Sequence, residues 1–162
     1  MRYRSRAARR RGALVVESAV VYPLPLLLLF GLVVGGLGVF RYQQVACQAR
    51  EAARFACVRG TGWQKETGTA LPTKDEILRQ AVLPLAAGMD PDKLTLQVEW
   101  VDGITGAASD WDSASKAPAG TTPSGDPVTN RVRVTVSYQW TPELFLAGPL
   151  NLKSVSELPM AF

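Results

Sequence analysis

The sequence contains no histidine, and this absence narrows the chemistry open to the chain. Its 162 residues include 18 lysines and arginines and 14 aspartates and glutamates, but no imidazole. Histidine is the usual general base, a member of the Ser-His-Asp triad and a common zinc ligand. The sequence also has no glycine-rich loop of the kind that cradles phosphates. We therefore expect a protein that is not an enzyme and holds no cofactor and no metal.

Pairs of acidic residues are the remaining candidates for acid-base or calcium chemistry. One pair, Asp75 with Glu76, lies where a helix is expected to begin, and acidic side chains are common there. The others fall in predicted turns, and none sits in a complete EF-hand loop. They are Asp90 with Asp92 and Asp110 with Asp112. We interpret all three pairs as solvated charges.

Cysteine is scarce, with only Cys47 and Cys57. On one continuous helix they would lie about 15 Å apart and point in different directions, too far apart for a disulfide. An intermolecular disulfide and a bend that joins them remain open. The interpretation favoured here is that both are small buried hydrophobic residues.

Positive charge is also scarce outside the first eleven residues. Six of the eighteen basic residues lie in that tail, so the rest of the chain carries 12 basic and 14 acidic residues. No basic patch with interleaved aromatic residues occurs beyond the tail. Nucleic-acid binding is therefore not expected.

What the sequence does have is a long apolar run from Ala13 to Phe40, in which Glu17 is the one charge. About 20 apolar residues are enough to cross a bilayer. The arginines before the run outnumber Arg41 and Arg50 after it, which predicts an N-terminus in the cytoplasm. A cleaved secretory signal has a much shorter apolar region. We expect a single-pass protein of the cytoplasmic (inner) membrane, in contact with lipid, whose C-terminal part is extracytoplasmic.

Glu17 is unexpected within such a run. An ionisable side chain at membrane depth costs roughly 2.5 kcal/mol or more unless something pairs with it. The simpler explanation is that Glu17 has no partner and that its side chain extends to the membrane–water interface. The energetic cost of an unpaired carboxylate favours the other explanation, that Glu17 pairs with a positively charged group.

Gly12 followed by Ala-Leu-Val-Val-Glu fits the pattern of type IV prepilin-like proteins. The wider stretch RRGALVVESAVVYPLPLLLLFG, continued by RYQQVACQAREAARFA, resembles the TadE-like proteins of tight-adherence (Tad, or Flp) pilus systems. The resemblance implies a minor pilin or pseudopilin, located in the membrane or in the pilus. Ser18 stands where the much shorter major subunits carry an aromatic residue.

The resemblance also implies roles for particular residues. A prepilin peptidase would cut between Gly12 and Ala13, and Glu17 would neutralise the new amine on Ala13 of a neighbouring subunit. The leader arginines Arg9, Arg10 and Arg11 would hold the cleavage site at the cytoplasmic surface. The implied partners are this peptidase, other pilin or pseudopilin subunits and the inner-membrane platform proteins of the Tad system.

A face of small residues continues along the helix beyond Pro23 and Pro25, where we expect a kink or a melted turn. At 100° per residue, one sector holds the helix-packing candidates Gly31, Gly35, Gly38, Ala46, Ala49, Ala53 and Ala56. The Gly31 and Gly35 pair has the G-x-x-x-G spacing of closely packed helices. Packing on other subunits and docking on the chain's own sheet both remain open, and both can hold at different heights. Gln48 falls on the opposite, polar side.

The fold class predicted is α+β, with the long helix packed on a small antiparallel sheet and a short second helix. Glycines at 60, 62 and 68 mark a break, and Thr73 to Glu76 form a capping box. Alternating residues predict strands at 93–101 and 131–140, and a third at about 152–158. The expected division is a leader at 1–12, a membrane segment at 13–40, its external continuation at 41–59, and a domain at 60–162 with a mobile loop at 102–127.

Two functions from different classes remain open at this point. One is the TadE-like minor pilin. The other is an uncleaved, single-pass binding module that recognises a partner through residues 102–127.

Overall fold

The computed structural model describes residues 15–142 and 148–161. The chain divides into two compact units between Val39 and Phe40. The leader candidates Arg9 to Arg11, together with Gly12 and Ala13, lie outside the described residues.

The first unit is helical throughout its described part. Residues 15–21 are helical, Tyr22 forms a turn, and helix α1 runs from Pro23 to Cys57, extending into the second unit. The interruption expected at the prolines is limited to Tyr22, whose N–H still donates to Ser18 O at 3.0 Å. Pro23 and Pro25 both fall in the first turn of α1, where a helix does not need their missing N–H groups.

The second unit is built on a four-stranded antiparallel sheet. Its strands are β1 (Leu94–Val101), β2 (Ala108–Asp110), β5 (Arg131–Trp140) and β6 (Leu150–Pro159) in the order β2-β1-β5-β6, while β3 (Ala119–Thr121) and β4 (Pro127–Thr129) form a separate ribbon. All neighbouring strands are antiparallel. The α+β class and the three main strands are as predicted.

The core lies between α1 and one face of this sheet. Val45, Ala49 and Ala53 of α1 have no exposed surface, and neither have Val134 and Val136 of β5. The core thus combines small side chains on the helix with larger, β-branched side chains on the sheet. The predicted packing of the long helix on the sheet is confirmed.

Two short helical segments connect α1 to β1. Helix α2 (Thr61–Thr67) occupies the stretch where the glycines predict only a break, and Gly68 closes it in the left-handed conformation with a φ of 69°. Helix α3 (Lys74–Ile77) begins with the predicted capping box, in which Thr73 and Glu76 exchange side-chain to backbone hydrogen bonds. The chain continues as a π turn and a 3-10 turn to Leu85, close to the predicted end.

The segment 102–127, predicted as one long loop, is more structured than that prediction. It contains β2 and β3, and between them Trp111 is fully buried. The indole Nε1–H of Trp111 donates to Pro72 O at 2.8 Å, and the Lys116 ammonium lies 5.4 Å from the ring centroid. This contact ties the middle of the segment to the residues before α3.

The outer face of the sheet carries a row of charges. Glu99, Arg133 and Glu157 are direct neighbours on β1, β5 and β6. Arg133 lies 3.8 Å from Glu99 and 2.9 Å from Glu157, and Arg131 lies 3.2 Å from Glu157. Hydrogen bonding from Arg133, followed by that from Arg131, lowers the pKa of Glu157 from its ordinary value of 4.5.

This lowered pKa makes part of the stability depend on pH. The folded state binds the Glu157 proton less readily than the unfolded state, so the carboxylate stabilises the fold above pH 4.5 and loses that effect as pH falls through the lowered pKa. We expect Glu157→Gln to have a lower free energy of unfolding than the wild-type protein at pH 7, and nearly the same free energy of unfolding at pH 2. Urea unfolding at both pH values measures the difference. An equal effect of the substitution at pH 7 and pH 2 would contradict this role of the carboxylate.

Candidate functional site

The candidate site is the surface of the N-terminal helix, which offers a large apolar area to its surroundings. The helical residues Val15–Cys57 include an 18-residue window with a mean hydropathy of 2.2, and none of that window is buried. Val20, Leu24, Leu28 and Leu32 each expose more than 70% of their surface. Water would make this surface costly, at about 25 cal/mol per Å² of apolar area. The helix is long and apolar enough to cross a membrane.

Glu17 lies on this apolar helix near its described beginning. Its side chain is exposed, and its surroundings are Ser18, Val21 and Tyr22, with which it lines a shallow hollow of about 260 Å³. Within the described residues no cation lies within ion-pair distance of it. The carboxylate is therefore placed where a partner from outside the described chain can reach it.

The glycines of the small-residue face are open. An added Cβ at Gly31 or Gly35 would meet nothing within 4 Å, and Gly38 is partly exposed. A smooth glycine surface lets another helix approach closely. This part of the face packs against nothing in the described residues of its own unit.

The alanines of the same face are used differently. Ala49, Ala53 and Ala56 have no exposed surface and belong to the core of the second unit, while Ala46 is partly exposed. Of the two interpretations left open, docking on the chain's own sheet applies to the buried alanines. The glycines remain available for packing on another subunit.

Gln48, placed on the polar side by the helical projection, is fully buried. The loop before β1 reaches over that side of α1. Arg41 Nη1 and Gln44 Nε2 both donate to Ala87 O, at 3.2 Å each, and Gln48 Nε2 donates to Met89 Sδ at 3.4 Å. Gln48 Oε1 has no hydrogen-bond partner among the described atoms. The sequence pattern of one helix does not reveal which distant loop covers its flank.

The two cysteines are free, as expected for residues ten apart on one helix. Cys57 is buried, in agreement with the favoured interpretation, but Cys47 is exposed. The interpretation of Cys47 as a buried hydrophobic residue is therefore wrong.

The acidic pairs serve the fold. Lys74 Nζ lies 2.8 Å from Asp110 and 3.6 Å from Asp112, so β2 is tied to the start of α3. Asp90 accepts the N–H of Asp92 at the start of a 3-10 turn. Among the residues that the structure describes, no group of three or more acidic or cysteine side chains could hold a metal ion.

The contrast between glycines and alanines predicts opposite effects of one substitution. Leucine at Ala53 would overfill a site with no exposed surface and lower the stability of the second unit by about 1–3 kcal/mol. Leucine at Gly35 would meet open space and leave the stability of that unit unchanged. Chemical unfolding of both variants in detergent, followed by tryptophan fluorescence, measures this. Equal destabilisation by the two substitutions would contradict the division of the face.

Comparison with known proteins supports the sequence resemblance over this helix. Residues 12–54, about a quarter of the chain, match the model of the family described as TadE-like protein. No curated protein and no solved structure matches the chain. TadE-like proteins are structural components of pili and are not known as enzymes. The match confirms the predicted resemblance of residues 12–54 to TadE-like proteins, a family that suggests a pseudopilin-like protein associated with a Tad pilus.

Proposed function

We propose that the chain is a minor pilin or pseudopilin of a Tad (Flp) type pilus assembly system. A prepilin peptidase cuts after Gly12, and the mature subunit enters the pilus or its base through its N-terminal helix. The observation that carries the proposal is the unburied apolar window within the helical residues Val15–Cys57, a span that largely coincides with the family match at 12–54. A surface of this kind needs lipid before assembly and neighbouring helices afterwards.

Charge explains why cleavage and assembly belong together. Cutting after Gly12 creates an ammonium group on Ala13, four residues before Glu17. The Glu17 carboxylate of one subunit then pairs with the Ala13 amine of the next, and two costly charges are neutralised within an apolar surrounding. Because the pair forms only in one axial register, it also sets the position of each subunit along the helix bundle.

Topology follows from the leader. Arg9, Arg10 and Arg11 keep the N-terminus on the cytoplasmic side of the inner membrane, where anionic headgroups attract them. The domain at 60–162 is then extracytoplasmic. The open surface at Gly31 and Gly35 receives helices of other pilin or pseudopilin subunits or of the inner-membrane platform proteins.

Processing is tested at one bond. We expect protein extracted from cells with an active prepilin peptidase to begin at Ala13, as read by intact mass. Gly12→Val places a branched side chain at the scissile bond and should leave the arginine leader attached. The matched control is Gly31→Val, which makes the same change away from the bond and should be cleaved normally. Wild-type protein that keeps Arg9 to Arg11 in such cells would refute the cleavage.

Assembly is tested separately at Glu17. Glu17→Ala should be cleaved like the wild type, since the Gly12 bond is unchanged, but it leaves the Ala13 amine unpaired at a cost of roughly 2.5 kcal/mol. We expect its recovery in the sheared pilus fraction, or with the assembly complex, to fall by about tenfold or more. Val20→Ala is the control, because it removes an exposed apolar side chain and no charge. Unchanged recovery of Glu17→Ala would refute the ion pair.

A further inference from the structure

The edge strand β6 has a sequence that is complementary to itself. Around Val155 it reads Leu152-Lys153-Ser154-Val155-Ser156-Glu157-Leu158. Read from the centre outward, each side gives serine, then a charged residue, then leucine, and the two charges are opposite. If two such strands pair antiparallel about Val155, serine faces serine, leucine faces leucine and Lys153 of each copy faces Glu157 of the other.

The outer edge of β6 is open to such a partner. Strand β6 ends the order β2-β1-β5-β6, and among the described residues no backbone group outside β5 bonds to residues 150–159. The N–H of Met160 donates to Asn130 O on the β5 side at 2.8 Å. Alternation along the strand therefore directs the backbone groups of even-numbered residues toward β5 and those of Lys153, Val155 and Glu157 outward.

The residues that would bond across the edge are the ones that the symmetric register brings together. Val155 would face Val155 of the second copy, and Lys153 would face Glu157, each in a pair that exchanges two backbone hydrogen bonds. Pro159, which lacks an N–H, has its nitrogen on the outward side and leaves the β5 ladder intact. The strand is long enough and regular enough to add a partner strand.

Charge on the outer face extends the same pattern. In the sheet, Glu99, Arg133 and Glu157 alternate in sign across three strands. In the symmetric register the next side chain in the row is Lys153 of the second copy. On the other face the partly exposed Leu152 and Leu158 would cover each other.

We propose that β6 is a homotypic interaction site, through which the domain pairs with a second copy of this chain by antiparallel strand addition centred on Val155. Charged residues on an edge strand often prevent such pairing, because the like charges of two copies would lie next to each other. Here the twofold register places opposite charges together, so the same residues favour one specific register.

In the paired domains, the α1 helices of the two copies run in opposite directions. Arg41 and Gln44 of α1 contact Ala87, before the start of β1, and Cys57 O accepts the N–H of Ala161, just after β6. Residues 41–57 thus run the same way as β6. The twofold axis of a continuous antiparallel sheet is normal to its plane, so the chain enters the two paired domains from opposite ends. The pairing therefore joins copies that are not neighbours in the parallel helix bundle proposed above.

Cysteine crosslinking of the full chain in detergent tests the register. In a Cys47→Ser background, which leaves only the buried Cys57, Val155→Cys places two thiols on the twofold axis about 5.5 Å apart between Cα atoms. Diamide, which takes up the two thiol hydrogens as the disulfide forms, should convert this variant into a covalent dimer. The control Asn151→Cys lies on the same exposed face but more than about 25 Å from its symmetry mate. Its yield of covalent dimer should be at least tenfold lower than that of Val155→Cys.

A charge reversal provides the second measurement. Lys153→Glu, added to the Val155→Cys variant, makes both cross-subunit pairs repulsive and should slow dimer formation roughly tenfold at low salt. Lys65→Glu, on exposed α2 and away from the strand, should not slow it. Crosslinking of Asn151→Cys as fast as Val155→Cys, absence of crosslinking in both, or insensitivity to Lys153→Glu would overturn the proposal. None of these outcomes bears on cleavage after Gly12.

Discussion

The second unit depends on the packing of the alanine surface of α1 on the sheet. Ala49, Ala52, Ala53 and Ala56 have no exposed surface, and most of the buried strand residues are valines. A larger side chain at these helix positions would separate the two layers. Because α1 also carries the apolar residues that precede Phe40, one helix has to satisfy two surroundings. It does so with small residues where it meets its own domain and with large exposed apolar residues in the part that is long and apolar enough to cross a membrane.

Much of this fold is readable from the sequence because the signals are local. The capping box at Thr73 and Glu76 involves residues three apart, and the alternation of Val132, Val134 and Val136 follows from the geometry of a single strand. The apolar run and the TadE-like pattern that includes it are local in the same way. These features define the fold class, the strands and the candidate membrane segment.

What the sequence does not reveal depends on contacts between distant residues. Gln48 is polar and lies on the polar side of its helix, yet the loop at Ala87 and Met89 covers it. Trp111 lies in a stretch rich in small and polar residues and is nevertheless held by Pro72, 39 positions earlier. For the same reason the division of the small-residue face into open glycines and buried alanines required the structure, since both residue types give one continuous pattern along the helix.

The two edges of the main sheet are unequal, and this limits how large an assembly strand pairing can build. The edge opposite β6 is formed by the three-residue strand β2. Next to it, the backbone N–H of Trp111 donates a hydrogen bond to Val98 O of β1. A ten-residue open edge offers a partner strand far more backbone groups than a three-residue edge, and symmetric pairing consumes the long edge on both molecules. Association through β6 is therefore self-limiting, in contrast to the open-ended stacking that turns exposed strands into fibres.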